Sequence, residues 1–189
     1  MLRIISGRWR QHRLHLPPPS VTRPTTDRAR EALFNILAHG CGLDFEGLTV
    51  LDAFAGSGSL GLESLSRGAQ FVYFMENNPQ VLKVLRANIQ SLKADESCSV
   101  LKGNLPDVSQ AFCAVDLVFL DPPYQQNLAV PACVALQKKG WLKPETLICV
   151  ETSAHDIPTS IPGLICDQQS QYGQSVITFW RVQEADDSF

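Results

Sequence analysis

The sequence predicts an α/β fold: a mostly parallel, twisted sheet with helices on both faces, preceded by a small basic extension. Three observations carry this expectation. From Leu48 onward, apolar strand-like runs alternate with stretches of helical period. The first such strand runs directly into a glycine-rich turn and then a helix, the junction by which parallel strands are connected. The length, 189 residues with 44% apolar and 19% charged, suits one compact domain with an appendage rather than two full domains.

Taken in order, Leu2 to Ser6 and Arg10 to Leu16 are short runs around Gly7, suited to a basic hairpin or extended arm that Pro17, Pro18 and Pro19 end. The stretch from Asp27 to Ala38 places Ala29, Leu33, Ile36 and Leu37 on one helical face. Asp27 lies near the positive helix start, and Gly40 stands just beyond the stop. Leu48 to Ala55 is the first strand of the main domain, Ser59 to Arg67 a helix closed by Gly68, and Phe71 to Glu76 the second strand. Asn78 and Pro79 supply a cap and a first-turn proline for a helix that turns Leu82, Leu85, Ile89 and Leu92 inward. Further strands are expected at Cys98 to Lys102, Val115 to Leu120, Leu147 to Glu151 and, after a turn at Tyr172 and Gly173, Ser175 to Arg181. A helix from about Asn127 to Lys139, stopped by Gly140, separates two of them. The expected organisation is a basic arm and helix over 1–40, the α/β domain over 41–183 and an acidic tail over 184–189.

No apolar run approaches the roughly 18 residues that cross a bilayer, and Arg3 interrupts the N-terminus before a signal-peptide core forms. A cytoplasmic location without a membrane partner is expected. The six cysteines stand 15 to 57 positions apart without a C-x-x-C pair, so they read as small buried hydrophobes. His12 and His15 lack a third ligand nearby, and no metal is assigned. Charge becomes informative when the chain is divided. Residues 1–30 hold seven arginines against one acid, a net +6, whereas the remainder holds nine basic and eighteen acidic residues, a net −9. An acidic body thus carries a basic arm, and a local cluster, not the net charge, attracts phosphates. Arginine in place of lysine throughout the arm favours nucleic acid, because the planar guanidinium pairs with phosphate bidentately and stacks on bases.

The first strand runs into LDAFAGSGSLG, where Gly56, Gly58 and Gly61 satisfy G-x-G-x-x-G, and Glu76 closes the second strand 18 residues after Gly58. By the dinucleotide rule this is an NAD site, with pyrophosphate on the helix N-terminus and the acid on the ribose diol. Asp52, just before the turn, disagrees: its carboxylate repels a pyrophosphate but attracts, directly or through water, the ammonium of an amino-acid ligand. S-adenosylmethionine has that ammonium, a ribose diol for Glu76 and no phosphate. The loop alone leaves both ligands open, and a glycine-rich turn also serves packing. Phe54, Ala55, Gly56 and Gly58 are the turn residues expected against the cofactor, and Asn104, after the third strand, is placed for edge contacts to an adenine ring.

Asp121-Pro122-Pro123-Tyr124 follows the strand VDLVFL. Two prolines and an aromatic cannot extend a strand, so the segment leaves the sheet as a stiff loop. Its parts suit methylation of an exocyclic amine on a planar ring. The Asp121 carboxylate and the Pro122 carbonyl accept the amine's two hydrogens, and Tyr124 stacks on the ring. Such an amine is a poor nucleophile because its lone pair is delocalised, and two fixed acceptors stabilise the charge that develops on nitrogen as the methyl transfers.

The LDAFAGSGSLGLESLSRGA segment, the acid in FMEN and the FLDPPY loop resemble the class I methyltransferases that act on amino nitrogens. RIISGRWR, RPTTDRAREALFNIL and QYGQSVITFW resemble segments of the RsmD family, the bacterial 16S rRNA guanine-N2 methyltransferases, so the likeness spans about residues 3 to 181. The resemblance implies a Rossmann-like class I methyltransferase fold. It also implies transfer of methyl from S-adenosylmethionine to one guanine of 16S rRNA, position 966 in the family name, on an assembling small subunit. Carried over by position, it implies a cofactor site at Asp52, Gly56, Gly58 and Glu76 and a target-base site at Asp121, Pro122 and Tyr124. Arg8, Arg10, Arg13 and Arg23 are expected on RNA phosphates, and Arg28 and Arg30 suit either RNA or a solvated helix face. A monomer is expected. The competing readings are an adenine-N6 or other amino-group methyltransferase, an NAD-dependent oxidoreductase that leaves DPPY and the arm unexplained, and an inactive RNA-binding module.

Overall fold

A computed structural model describes residues 2–18, 26–103, 105–122, 128–172 and 175–183 of the chain. Two compact units divide it, Met1–Lys102 and Gly103–Phe189.

The first unit begins with the expected basic hairpin, β1 (Leu2–Arg3) and β2 (Arg13–Leu14), antiparallel with Leu2 opposite Leu14. Helix α1 (Asp27–Asn35) starts at Thr26, whose hydroxyl accepts the Ala29 N–H at 3.2 Å. It ends earlier than the expected Ala38, passing into one wide π turn over Ile36–Gly40 that still buries Leu37. Strands β3 (Thr49–Asp52), β4 (Phe71–Glu76) and β5 (Cys98–Lys102) run parallel, with Val50 beside Val72 and Val72 beside Cys98. Helix α2 (Ser59–Ser66) packs on β3 and β4. A Cβ on Gly61 would strike the Phe74 ring of β4, so the missing side chain is what lets the helix lie close to the sheet. Helix α3 (Pro79–Ser91) carries the expected cap: Asn78 Oδ1 accepts from Gln80 N at 2.9 Å, with Pro79 in the first turn. Leu82, Leu85, Ile89 and Leu92 face inward and are buried, as their spacing predicts.

The second unit holds β6 (Val115–Leu120), α4 (Ala129–Lys138), β7 (Leu142–Ser153), β8 (Leu164–Tyr172) and β9 (Ser175–Val182). β6 and β7 are parallel, whereas β7–β9 and β9–β8 are antiparallel. Two features depart from the expectation. β7 is longer than Leu147 to Glu151, extending back through Pro144, where the pairing with β6 shifts register between Val115 and Leu117. A proline in a run reads as a strand boundary, and here a bulge accommodates it. Thr146 holds the irregularity, its hydroxyl donating to Val115 O at 2.6 Å and accepting from Lys143 N at 2.9 Å. The whole of β8 went unforeseen. It pairs on one side with β9, is largely exposed, and bulges between Cys166 and Gln168, so its LICDQQSQY sequence shows no sustained alternation.

All six cysteines are free thiols, but only Cys133 and Cys149 are buried; Cys41 and Cys98 are half-buried, and Cys113 and Cys166 are exposed. The expectation of six buried small hydrophobes is corrected to two. Among the described residues no helix is long and apolar enough to cross a membrane, and no cluster of three or more His, Cys, Asp or Glu is placed to hold a metal ion.

Candidate cofactor and nucleic-acid site

The end of β3 and the start of α2 build a turn almost entirely from backbone. Ala55 N donates to Met75 O at 2.9 Å, tying the turn to β4, and Gly58 N donates to Ala55 O at 2.7 Å, closing it. Gly58 stands at the start of α2 with φ +80°, where a Cβ would run into Leu85; glycine is required on both counts. Gly56 has φ +54° and open space around it.

Two carboxylates brace this turn. Asp52, 3% exposed, accepts the Gly61 N–H at 3.0 Å, so its carboxyl group already serves the amide end of α2. Burial pushes its pKa from 3.8 up to about 7, the Gly61 hydrogen bond acting against the rise and the neighbouring Glu76 charge adding to it. Glu76 accepts three amides: Gly56 N at 3.1 Å on Oε2, and Asn77 N and Asn78 N at 2.8 Å each on Oε1. The structure therefore brings Asp52, Ala55, Gly56, Gly58 and Glu76 around one turn, with Phe54 half-buried on it. Asp121 and Pro122 belong to the second unit, directly after β6, half-buried and buried respectively. Tyr124, Asn104 and Arg23 lie outside the described residues.

Arg8, Arg10 and Arg13 are exposed on the hairpin, and the Arg8 guanidinium lies 4.0 Å from the centre of the Trp9 ring. Arg28 is exposed, but Arg30 is not a solvated residue: it is fully buried, donating to Arg3 O at 2.5 Å and to Asp27 at 2.9 Å. The hairpin is fixed to α2 through Glu63, a fully buried carboxylate that accepts Ile5 N at 2.7 Å, Ser6 N at 3.0 Å and Arg67 Nε at 2.8 Å. One turn further, Ser66 accepts Arg8 N on its carbonyl and Trp9 N on its hydroxyl. Gly7 passes so close to the Ser66 carbonyl that a Cβ has no room. Asn88 of α3, also fully buried, bonds the backbone of His15 and of Ser57. Sequence reading missed both Glu63 and Asn88. Each interrupts an apolar helical face, Glu63 beside Leu62 and Asn88 three residues after Leu85, and that misplaced polarity is the signal that marks them.

The family model described as conserved hypothetical protein 95 matches residues 2–181. The ribosomal RNA small subunit methyltransferase D of Escherichia coli K12 is 38% identical over 161 residues, covering 85% of this chain and 79% of that protein. The protein of the same name from Haemophilus influenzae is 43% identical over 155 residues, covering 80% and 78%. A solved structure from Escherichia coli, described as a putative methyltransferase, superposes with a TM-score of 0.81 at 34% identity, covering 97% of this chain and 99% of that one. With its α/β Rossmann-like architecture and this likeness along almost its whole length, the chain belongs to the conserved hypothetical protein 95 family, the RsmD family of methyltransferases.

Proposed function

We propose that the protein transfers a methyl group from S-adenosylmethionine to the exocyclic N2 amine of a guanine in 16S rRNA, on the assembling small ribosomal subunit. One observation carries the choice of cofactor: the Asp52 carboxylate on the Gly61 amide. A dinucleotide would bring a pyrophosphate to the start of α2, where a buried acid already stands. An amino-acid ammonium is attracted by the same charge. The donor set fits in its other half as well, because Glu76, held by three amides, presents a fixed carboxylate beside the turn for a ribose diol. The family relationship supports methyl transfer, and the names of the relatives support ribosomal RNA as substrate.

When bound, S-adenosylmethionine supplies an electrophilic methyl on a sulfonium. The chain's residues do the rest. Asp121 and the carbonyl of Pro122 accept the two hydrogens of the guanine amine and hold its nitrogen toward the methyl. As nitrogen becomes cationic, the Asp121 carboxylate stabilises it, an interaction stronger in the transition state than before it. Afterwards Asp121 takes the surplus proton. Tyr124 stacks on the purine, and such platforms contribute roughly 1–3 kcal/mol per base. Arg8, Arg10, Arg13 and Arg23 hold RNA phosphates through bidentate pairs.

The test is incubation with tritiated S-adenosylmethionine and small subunits purified from cells lacking this protein, followed by nucleoside analysis. Labelled N2-methylguanosine is the expected product. Label on N6-methyladenosine or no label at all rejects the assignment, and tight NAD binding in a parallel titration rejects the cofactor.

A further inference from the structure

Asn88 occupies a position in α3 where the inward stripe of Leu82, Leu85 and Ile89 calls for an apolar side chain. Its carboxamide instead makes three hydrogen bonds while fully buried. Oδ1 accepts His15 N at 2.7 Å, and Nδ2 donates to His15 O at 3.1 Å, so the amide pairs with one residue of the arm as a neighbouring strand would. The same Nδ2 donates to Ser57 O at 2.8 Å, in the middle of the glycine turn. One turn along α3, Ser91 Oγ lies 3.1 Å from His12 Nε2 and donates to Asn88 O at 2.8 Å, so the arm is held there at a second point. A single side chain thus spans the root of the basic arm and the turn between Gly56 and Gly58. Buried amides cannot exchange partners with water, so a displacement of His15 moves the Asn88 amide and, with it, the Ser57 carbonyl.

We propose that Asn88 is a positioning residue that couples RNA engagement by the arm to cofactor binding by the glycine turn. This rests on the function proposed above, in which the arm holds RNA and the turn holds S-adenosylmethionine. RNA that engages the arm and shifts His15 sets the turn through Asn88, and by thermodynamic reciprocity the cofactor tightens RNA binding by the same factor. Such a link favours the cofactor in the presence of substrate.

The experiment is equilibrium dialysis of labelled S-adenosylhomocysteine, which cannot react, with and without saturating small subunits from cells lacking this protein. We expect binding at least about fivefold tighter with subunits present in the wild type, within the usual range of coupling. In Asn88→Ala and Asn88→Asp the ratio falls toward one, and under turnover the KM for cofactor at saturating subunits rises more than kcat falls. General destabilisation lowers both affinities and leaves their ratio alone. A wild-type ratio of one with both ligands bound overturns the coupling and leaves the function standing. Failure of the wild type to bind cofactor or subunits overturns the function and the coupling together. An unchanged ratio in both variants removes Asn88 from the role. Should neither variant fold, hydrogen exchange on the wild type decides: cofactor alone must slow exchange of the His15 amide, and an unaltered rate overturns the proposal.

Discussion

At the scale of single residues, Asp52 makes the sharpest statement. Its pKa, pushed from 3.8 up to about 7 chiefly by burial, means that the folded chain holds this proton more tightly than the unfolded chain. The corresponding stability is present in full below about pH 4 and is lost as pH rises through about 7. Asp52→Asn keeps an oxygen for the Gly61 amide and removes the titration. Its urea midpoint is expected to gain on that of the wild type between about pH 5 and pH 8. A cofactor ammonium prefers the ionised carboxylate, so wild-type affinity for S-adenosylmethionine should strengthen across the same interval and that of the variant should not; calorimetry at both ends checks this. Asp121→Ala tests the other acid. Methyl transfer should fall by on the order of 10²-fold or more, as when a fixed electrostatic partner of a transition state is removed, with cofactor affinity nearly unchanged. Unaltered turnover would reject Asp121 as the amine's acceptor.

At the scale of elements, glycines and buried polar groups join what the apolar periodicity builds. Gly61→Ala inserts a methyl against Phe74 and should lower stability by about 1–3 kcal/mol, read from chemical denaturation. Glu63→Ala leaves Ile5 N, Ser6 N and Arg67 without their shared acceptor. A loss of about 3 kcal/mol is expected, with faster proteolysis of the hairpin before the core opens. These positions also explain how much was legible beforehand. β4, β5 and β6 match the sequence expectation residue for residue: β4 and β6 carry mostly apolar, largely buried runs, and β5, half-buried at its sheet's edge, is still a short extended run between turn signals. The cap and first-turn proline of α3 were equally plain, being local. β8 was hidden because one-sided pairing and a bulge remove its periodicity, and β7 was cut short because Pro144 imitates an end. In the turn, Asp52, the glycines and Glu76 are adjacent in sequence to the structures that display them. Glu63 and Asn88 were not foreseen, since their partners in the arm lie 57 to 73 positions away; only the polarity each sets into an apolar helical face hints at them beforehand.

At the scale of the whole molecule, charge is segregated: a net +6 over residues 1–30 against −9 in the remainder. Of these arginines Arg3, Arg8, Arg10 and Arg13 stand exposed on the hairpin, whereas Arg30 is buried in α1, and the acidic remainder discourages nonspecific spreading of RNA over it. Neutralising Arg8, Arg10 and Arg13 together should weaken RNA binding and flatten its dependence on salt. The log–log slope should drop by up to about 0.9 for each duplex phosphate that the arm no longer neutralises, and by less on single strands. Affinity and slope that stay put would assign the arm another task. The same segregation leaves the opposite end of the chain to look after its own exposed backbone. β8 edges the sheet of the second unit with polar side chains, the Asp167–Arg181 ion pair at 2.7 Å and a bulge. A stray extended peptide finds there no flat, greasy template on which to zip. Deleting Leu164–Tyr172 would bare β9, with Val176, Ile177, Phe179 and Trp180 along it, and hand a second copy of the chain an open apolar rail for fibrillar clumping.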